Sequence, residues 1–246
     1  MTATMTAGEF LALHTRTEPA DPLVLPNVWD AISARAFADA GFTALATSSS
    51  AVAAALGYRD GEDTPADEMF AALKRITRSV DVPVTADIEA GYGLAPAEIV
   101  ERLLEAGVIG CNLEDSTAAT RQLKDPSQHA SWLAEVRSAA GDRLVLNARV
   151  DTFLFGDHEV ESAAARAALY IDAGADVIYP ILAPESALPA LAAAIPAPLN
   201  ALCHLDTTTP THLGTLGASR VTYGGSLQQH SATTITTLAQ RLAPQQ

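Results

Sequence analysis

Two apolar runs in this chain end in acids. "VPVTADIE" (residues 82–89) finishes on Asp87 and Glu89, and "VIGCNLED" (residues 108–115) finishes on Glu114 and Asp115. Asp87 and Glu89 stand two residues apart, so on a strand both point to one side. Clustered carboxylates raise one another's pKa unless a cation sits among them. An all-oxygen set without nearby histidine suits Mg²⁺ or Mn²⁺ better than zinc, and Mg²⁺ keeps several waters, so some of these acids would bind through water. The candidate metal ligands are therefore Asp87, Glu89 and Glu114. The "GYG" that follows (residues 91–93) would let loop backbone come close to the ion. Arg149, in "NARVD", supplies the planar, permanently charged fork that a carboxylate needs; its plainer alternative is a salt bridge to Glu114 or Asp87. Asn27, Trp29, Asp30, Ser48, Ser49, Ser50, Asn147, Asp151 and Asn200 also stand at the ends of apolar runs. Asp30 could equally cap the helix "DAISARAFADAG", and Asp115 and Asp151 could cap or solvate loops.

Something must bring these strand ends together. The chain repeats one pattern: a helical segment ends in Ala-Gly or a similar break, a short apolar run follows, and polar residues close it. Gly41, Gly107 and Gly174 fall where a residue just past a helix needs positive φ. The apolar runs are "PLVLPN", "TALATSSS", "VPVTADIE", "VIGCNLED", "RLVLNARVD", "DVIYPI", "APLNAL" and "SRVTYGG". They lack clean alternation, as parallel strands covered on both faces do. Between most of them lie helical stretches such as "PADEMFAALKRITRSV" and "APAEIVERLLEA". About eight such β-then-α units without a composition break predict one (β/α)₈ barrel domain over residues 1–246. A doubly wound open sheet is the alternative. In a barrel the C-terminal strand ends form the active face, where the acids would converge.

The formal charge of −14, from 15 basic and 29 acidic residues, disfavours nucleic acid and anionic membrane surfaces as partners. Cys111 and Cys203 give neither a disulfide framework nor a CxxC pair, which fits a reducing compartment. The first residues lack the basic region and apolar core of a signal peptide. "ALPALAAAIPAPLNAL" is interrupted by three prolines and does not read as a membrane span. A soluble, cytoplasmic protein is expected.

"TSSSAVAAALGYRDGED", "TADIEAGYG", "GCNLED" and "NARVD" occur in the order of the signature segments of the isocitrate lyase/phosphoenolpyruvate mutase superfamily. The resemblance covers roughly residues 23–185 and continues more loosely to the C-terminus. It implies a (β/α)₈ barrel whose last helix is often exchanged between subunits of a homo-dimer or homo-tetramer. The implied ligands are small α-oxo or α-hydroxy carboxylates such as pyruvate, oxaloacetate or 2-oxoglutarate. Asp87 matches the direct Mg²⁺ ligand, and Asp60, Glu89 and Glu114 match acids around the water shell of the ion. Ser48 and the amides of Ser49 and Ser50 match substrate carboxylate and oxyanion contacts, and Arg149 matches the substrate-binding arginine. Trp29, Asn147 and Asn200 could line the pocket. The implied chemistry makes or breaks a C–C or P–C bond through a metal-stabilised enolate, since charge left beside an oxo acid needs an electrophile.

Two departures narrow this. The family's Asp-x-Asp is Asp-x-Glu here. The lyases carry a Lys-Lys/Arg-Cys-Gly-His loop shortly after the "LED" strand, whereas this chain reads "STAATRQLKDPSQHA" with no cysteine. Cys111 lies inside the strand, where core packing is expected. Arg121 and Lys124 could cover an anionic ligand instead, and His129 is a candidate proton donor by its ordinary titration range. An isocitrate lyase is disfavoured. The alternatives are a binder of oxo acids with little turnover, or an oxo-acid hydrolase or decarboxylase. A Schiff-base aldolase is excluded because Lys74 falls on a helix and Lys124 in a loop. "TYGGSLQQ" offers a weak phosphate-site signal, and tight closure explains its glycines as well.

Overall fold

The computed structural model describes residues 5–244 except 16, 17 and 19. Eight barrel strands follow one another: β1 (Leu23–Val24 and Asn27–Val28), β2 (Leu45–Thr47), β3 (Val84–Asp87), β4 (Gly110–Glu114), β5 (Val145–Val150), β6 (Val177–Pro180), β7 (Asn200–Leu202) and β8 (Arg220–Thr222). All pair in parallel, each with its sequence neighbour from β1 to β6 and from β7 to β8. A bridge from Ile178 to Leu199 joins β6 to β7, and β1 returns to β8 through Leu23 opposite Arg220. The sheet therefore closes, as the repeat predicts. Pro26, which has no N–H to donate, separates the half of β1 paired with β8 from the half paired with β2.

The helices are α1 (Ala7–Ala12), α2 (Ala31–Asp39), α3 (Ser49–Leu56), α4 (Ala66–Thr77), α5 (Pro96–Ala106), α6 (Pro126–Ala140), α7 (Thr152–Phe155), α8 (Val160–Asp172), α9 (Leu188–Ala194), α10 (Pro210–Thr215) and α11 (Ser226–Leu242). Gly41, Gly107 and Gly174 take φ of 98°, 77° and 98°, which ends the preceding helix and turns the chain into the next strand. Ile99, Leu103, Leu133 and Val136 from α5 and α6 bury against Cys111, Leu113, Leu146 and Ala148 on the outer side of β4 and β5. Each fully buried Leu or Ile there contributes about 1.5–3 kcal/mol. Phe10 and Ala7 of α1 pack with Leu25, Ala46, Val145 and Val177 and plug the N-terminal end with an apolar layer.

Because the strands are parallel, Thr47, Asp87, Glu114 and Val150 all end at the opposite face. The segment after β4 is a short antiparallel hairpin, Ser116–Thr117 with Gln122–Leu123, rather than a plain loop. α11 buries none of its residues, and Ile235, Leu238 and Leu242 are 64%, 49% and 74% exposed. Among the described residues no helix is long and apolar enough to cross a membrane.

Candidate active site

Asp87 is fixed from three directions. Its N–H donates to Thr47 Oγ1 at 3.0 Å, while its Oδ2 accepts from Ser49 N at 3.1 Å and Ser49 Oγ at 2.9 Å. Its Oδ1 is buried and has no hydrogen-bond partner among the described residues. The Ser49 amide expected to contact substrate is thus engaged with Asp87. The Ser48 hydroxyl meets that of Ser50 at 2.9 Å at the N-terminus of α3, where no side chain caps the helix. Asp60 accepts from Ser49 Oγ at 3.4 Å. Its pKa is raised by desolvation and then by the charge of Asp87.

Glu89 reaches this cluster by another route than strand alternation. β3 stops at Asp87, and Glu89 takes φ 51°, so the rule of two residues on one side no longer applies. Its carboxylate accepts from Glu62 N at 2.5 Å and from Tyr92 Oη at 2.8 Å, and Glu62 Oε1 in turn accepts from Tyr92 N at 2.6 Å. Glu62 and Tyr92 also have positive φ, so three non-glycine residues hold costly backbone conformations in one latch. Burial, with the charges of Asp60 and Asp87 adding to it, pushes Glu89 up to about 7. The glycines of "GYG" act locally: Gly91 has φ 96°, and a Cβ there would stand 2.7 Å from Ile99 Cδ1.

Glu114 is buried and pairs with Arg149 Nη1. Burial raises its pKa well above the ordinary range, with Arg149 opposing. Arg149 also forks onto Asp151, through Nε to Oδ1 at 2.6 Å and Nη2 to Oδ2 at 2.8 Å. Burial works against its charge, but Glu114 and Asp151 outweigh it and raise its pKa. The salt-bridge alternative for Arg149 is therefore present, and Asp151, expected to cap or solvate a loop, is its main partner. Asp115 is likewise no loop acid: it is buried and accepts from Asp151 N, Tyr170 Oη and Arg166 Nη1.

Asn147 donates to Asn112 Oδ1 at 2.7 Å and Asn200 to Thr222 Oγ1 at 2.9 Å, both inside the barrel. Trp29 instead packs on the apolar cluster of Val28, Ala34 and Met69 outside it. Asn27 braces the barrel by donating to Thr47 O and accepting from Tyr223 N. Asp30 caps α2 through Ser33 N at 2.7 Å. A Cβ on Gly225 would lie 2.8 Å from Ser50 Oγ, so that glycine serves close packing.

Lys124 Nζ donates to Glu114 O at 3.2 Å and sits 5.5 Å from the Trp132 ring centroid. Arg121 lies over Phe155. His129 is buried against Trp132 and Tyr170, and burial lowers it to about 3, which sets it against the proton-donor role its ordinary titration range suggests. Burial pushes the Cys111 thiol up to about 12, in keeping with a core residue. Thr47, Glu62, Tyr92, Asn112 and Thr222, which hold these side chains, carry no signal of their own in the sequence. A charged residue inside the apolar run "SRVTYGG" was the available signal for Arg220.

Among the described residues no three His, Cys, Asp or Glu side chains form a ready-made metal cage. The unpartnered Asp87 Oδ1, with acids at Asp60, Glu89 and Glu114 nearby, fits one direct cation contact supplemented through water.

The phosphoenolpyruvate phosphomutase family model matches residues 10–243. An uncharacterised protein of Mycobacterium tuberculosis is 34% identical over 216 residues, covering 87% of this chain and 82% of that one. The 2-methylisocitrate lyase of Bacillus subtilis is 30% identical, over 79% of this chain and 66% of the lyase. Among solved structures, a Burkholderia cenocepacia protein provisionally described as a phosphonomutase superposes with TM-score 0.88 at 39% identity, covering 96% of this chain and 99% of its own. The closed barrel and these likenesses agree: the chain belongs to the phosphoenolpyruvate phosphomutase family, in the isocitrate lyase/phosphoenolpyruvate mutase superfamily of lyases and mutases.

Proposed function

We propose that the protein is a Mg²⁺- or Mn²⁺-dependent enzyme that makes or breaks a C–C or P–C bond beside a small α-oxo or α-hydroxy carboxylate. The observation that carries this reading is the buried, unpartnered Oδ1 of Asp87 among neighbouring acids. Asp87 would hold the ion directly, and Asp60, Glu89 and Glu114 would hold its water shell. A bound divalent cation supplies positive charge where negative charge develops on substrate oxygens. Ser48, Ser50 and the N-terminus of α3, which no side chain caps, would donate to a substrate carboxylate. Arg149, already paired with two carboxylates, has N–H groups left to orient it. Relatives named 2-methylisocitrate lyase, 2,3-dimethylmalate lyase and oxaloacetate acetylhydrolase support acids of this size. Pyruvate, oxaloacetate and 2-oxoglutarate are the acids to test first.

Calorimetry should show binding of at least one of these acids that depends on Mg²⁺. Mg²⁺ should raise the Tm of the parent and leave Asp87→Ala unchanged. Equal Mg²⁺ stabilisation of both proteins would refute the metal assignment.

The exposed apolar residues of α11 further support a homo-dimer or homo-tetramer in which this helix packs on a second copy. Light scattering should give an oligomer at micromolar concentration, and the double change Ile235→Glu, Leu238→Glu should give monomer. A monomeric parent would rule this out.

A further inference from the structure

The barrel interior holds a second buried arginine that the proposed chemistry does not use. Arg220 begins β8 and is 0% exposed. It crosses the bore to β4, where Nη2 donates to Asn112 Oδ1 at 3.3 Å. Asn112 is the strand neighbour of Asp87, so the guanidinium lies close beneath the acids. No carboxylate pairs with it among the described residues, and its Nε and Nη1 are buried without hydrogen-bond partners. Burial pushes this group down to about 10, with Tyr179 and Asp87 offsetting part of the penalty. A buried charge is normally paired, and a buried N–H left unsatisfied forfeits its hydration without return.

The bore also contains acceptors without donors: Asn147 Oδ1 and Asn200 Oδ1. Water can satisfy both sets in the free protein. Asn200 has a further option. Its amide now donates to Thr222 Oγ1. Rotated by half a turn, its Oδ1 would accept from the Thr222 hydroxyl and its Nδ2 would face the bore beside Arg220. Asn200 then presents a donor beside the unpartnered N–H groups of Arg220, which suits an anion. The cost of desolvating Arg220 is already met on folding, so an incoming carboxylate faces a cation that has no bulk hydration left to lose.

On the reading that the Asp87 site takes a 2-oxo acid, we propose that Arg220, with Asn200, receives the second carboxylate of a dicarboxylic 2-oxo acid and so selects dicarboxylates over monocarboxylates. Arg220 is then a specificity-determining residue at the inner end of the site.

The test compares 2-oxoglutarate with 2-oxopentanoate, which has the same chain length but no distal carboxylate, by calorimetry in Mg²⁺. The parent should bind 2-oxoglutarate roughly 10–100-fold more tightly, the value of one or two hydrogen bonds to a charged group. Arg220→Met should bring the two acids within about twofold by weakening only 2-oxoglutarate, because replacing a buried charge by an apolar side chain of similar size is usually tolerated. Asn200→Asp, which offers Arg220 an internal carboxylate, should erase the preference too, and it keeps the fold testable if Arg220→Met fails to fold. A parent that binds both acids equally, or variants that retain the preference, would overturn the subsite and leave the oxo-acid reading intact. Binding of neither acid would overturn the oxo-acid reading and the subsite with it.

Discussion

Asp87 ends β3 and Asp115 directly follows the neighbouring β4, and the protein treats them in opposite ways. Asp115 is sealed behind β4, where Oδ1 accepts from Asp151 N at 2.8 Å and Oδ2 accepts from Tyr170 Oη at 2.7 Å and Arg166 Nη1 at 3.0 Å. Both of its oxygens are committed. Asp87 commits one oxygen to Ser49 and leaves the other buried and unpartnered. Both acids follow apolar runs, so residue type and position do not separate a brace from a site. The count of satisfied lone pairs does. Asp115 ties β5, α8 and the end of the hairpin together, since Arg166 also donates to Lys124 O. Asp87 is left incomplete within the folded chain.

The largest effect expected from this contrast concerns turnover. The braced hairpin after β4 has no cysteine, and its cations are occupied: Lys124 on Glu114 O and Arg121 over Phe155. If the lyase cysteine is a general acid, its loss costs roughly 10²–10⁴-fold in rate. Cleavage of isocitrate or 2-methylisocitrate should therefore be slow or absent in steady-state assays, while oxo-acid binding at the Asp87 side survives. A kcat in the ordinary range of about 1–10³ s⁻¹ would show that another group supplies the proton. Lys124 would then be examined first, because His129 is buried and neutral.

The contrast also has a stability form. Asp115→Asn removes the charge facing Arg166 and should lower unfolding free energy by about 3–5 kcal/mol, as for other broken buried pairs. Asp87→Asn keeps an acceptor for Ser49 and removes one of several neighbouring negative charges. Without metal it should change stability by no more than about 1 kcal/mol. Urea denaturation in EDTA measures both. Equal losses would mean that Asp87 is a brace as well.

The sequence showed the barrel because its cause is local: glycines at helix ends and apolar runs of strand length are written in order along the chain. Asp87, Glu114 and Arg149 were legible as strand-end polar residues for the same reason. The assignment of partners was not, since it is decided across the barrel. Asp151, two residues from Arg149, was within local reach, but nothing near residue 149 announces the pairing with Glu114 on the neighbouring strand, nor that the Ser49 amide will serve Asp87. Alternation gave Glu89 the correct neighbourhood by an invalid route, because one positive φ resets which side a residue faces. Arg220 shows the converse case. A charge inside an apolar run was visible, but an interior able to hold it was not.

The smallest effect belongs to Glu89, which lies between the two extremes: both of its oxygens have donors, yet its charge is poorly tolerated. Burial raises its pKa to about 7 from an ordinary value of 4.5. A carboxyl raised in the folded state binds protons more tightly there than in the unfolded chain. Its favourable contribution is therefore complete below about 4.5, shrinks as pH rises, and is lost above about 7. Across that window the metal-free protein should lose stability on the order of 3 kcal/mol from this residue alone. Glu89→Gln cannot titrate, so whatever its own stability, the difference between parent and variant should slope with pH between these limits and flatten outside them. Mg²⁺ should flatten the slope of the parent as well, since a cation beside the carboxylate favours its ionised form. Chemical denaturation at half-unit pH intervals, in EDTA and in Mg²⁺, measures each arm. Curves for the parent and for Glu89→Gln that run parallel in EDTA would show that Glu89 is already ionised throughout, with the Tyr92 and Glu62 donors sufficient to hold its charge.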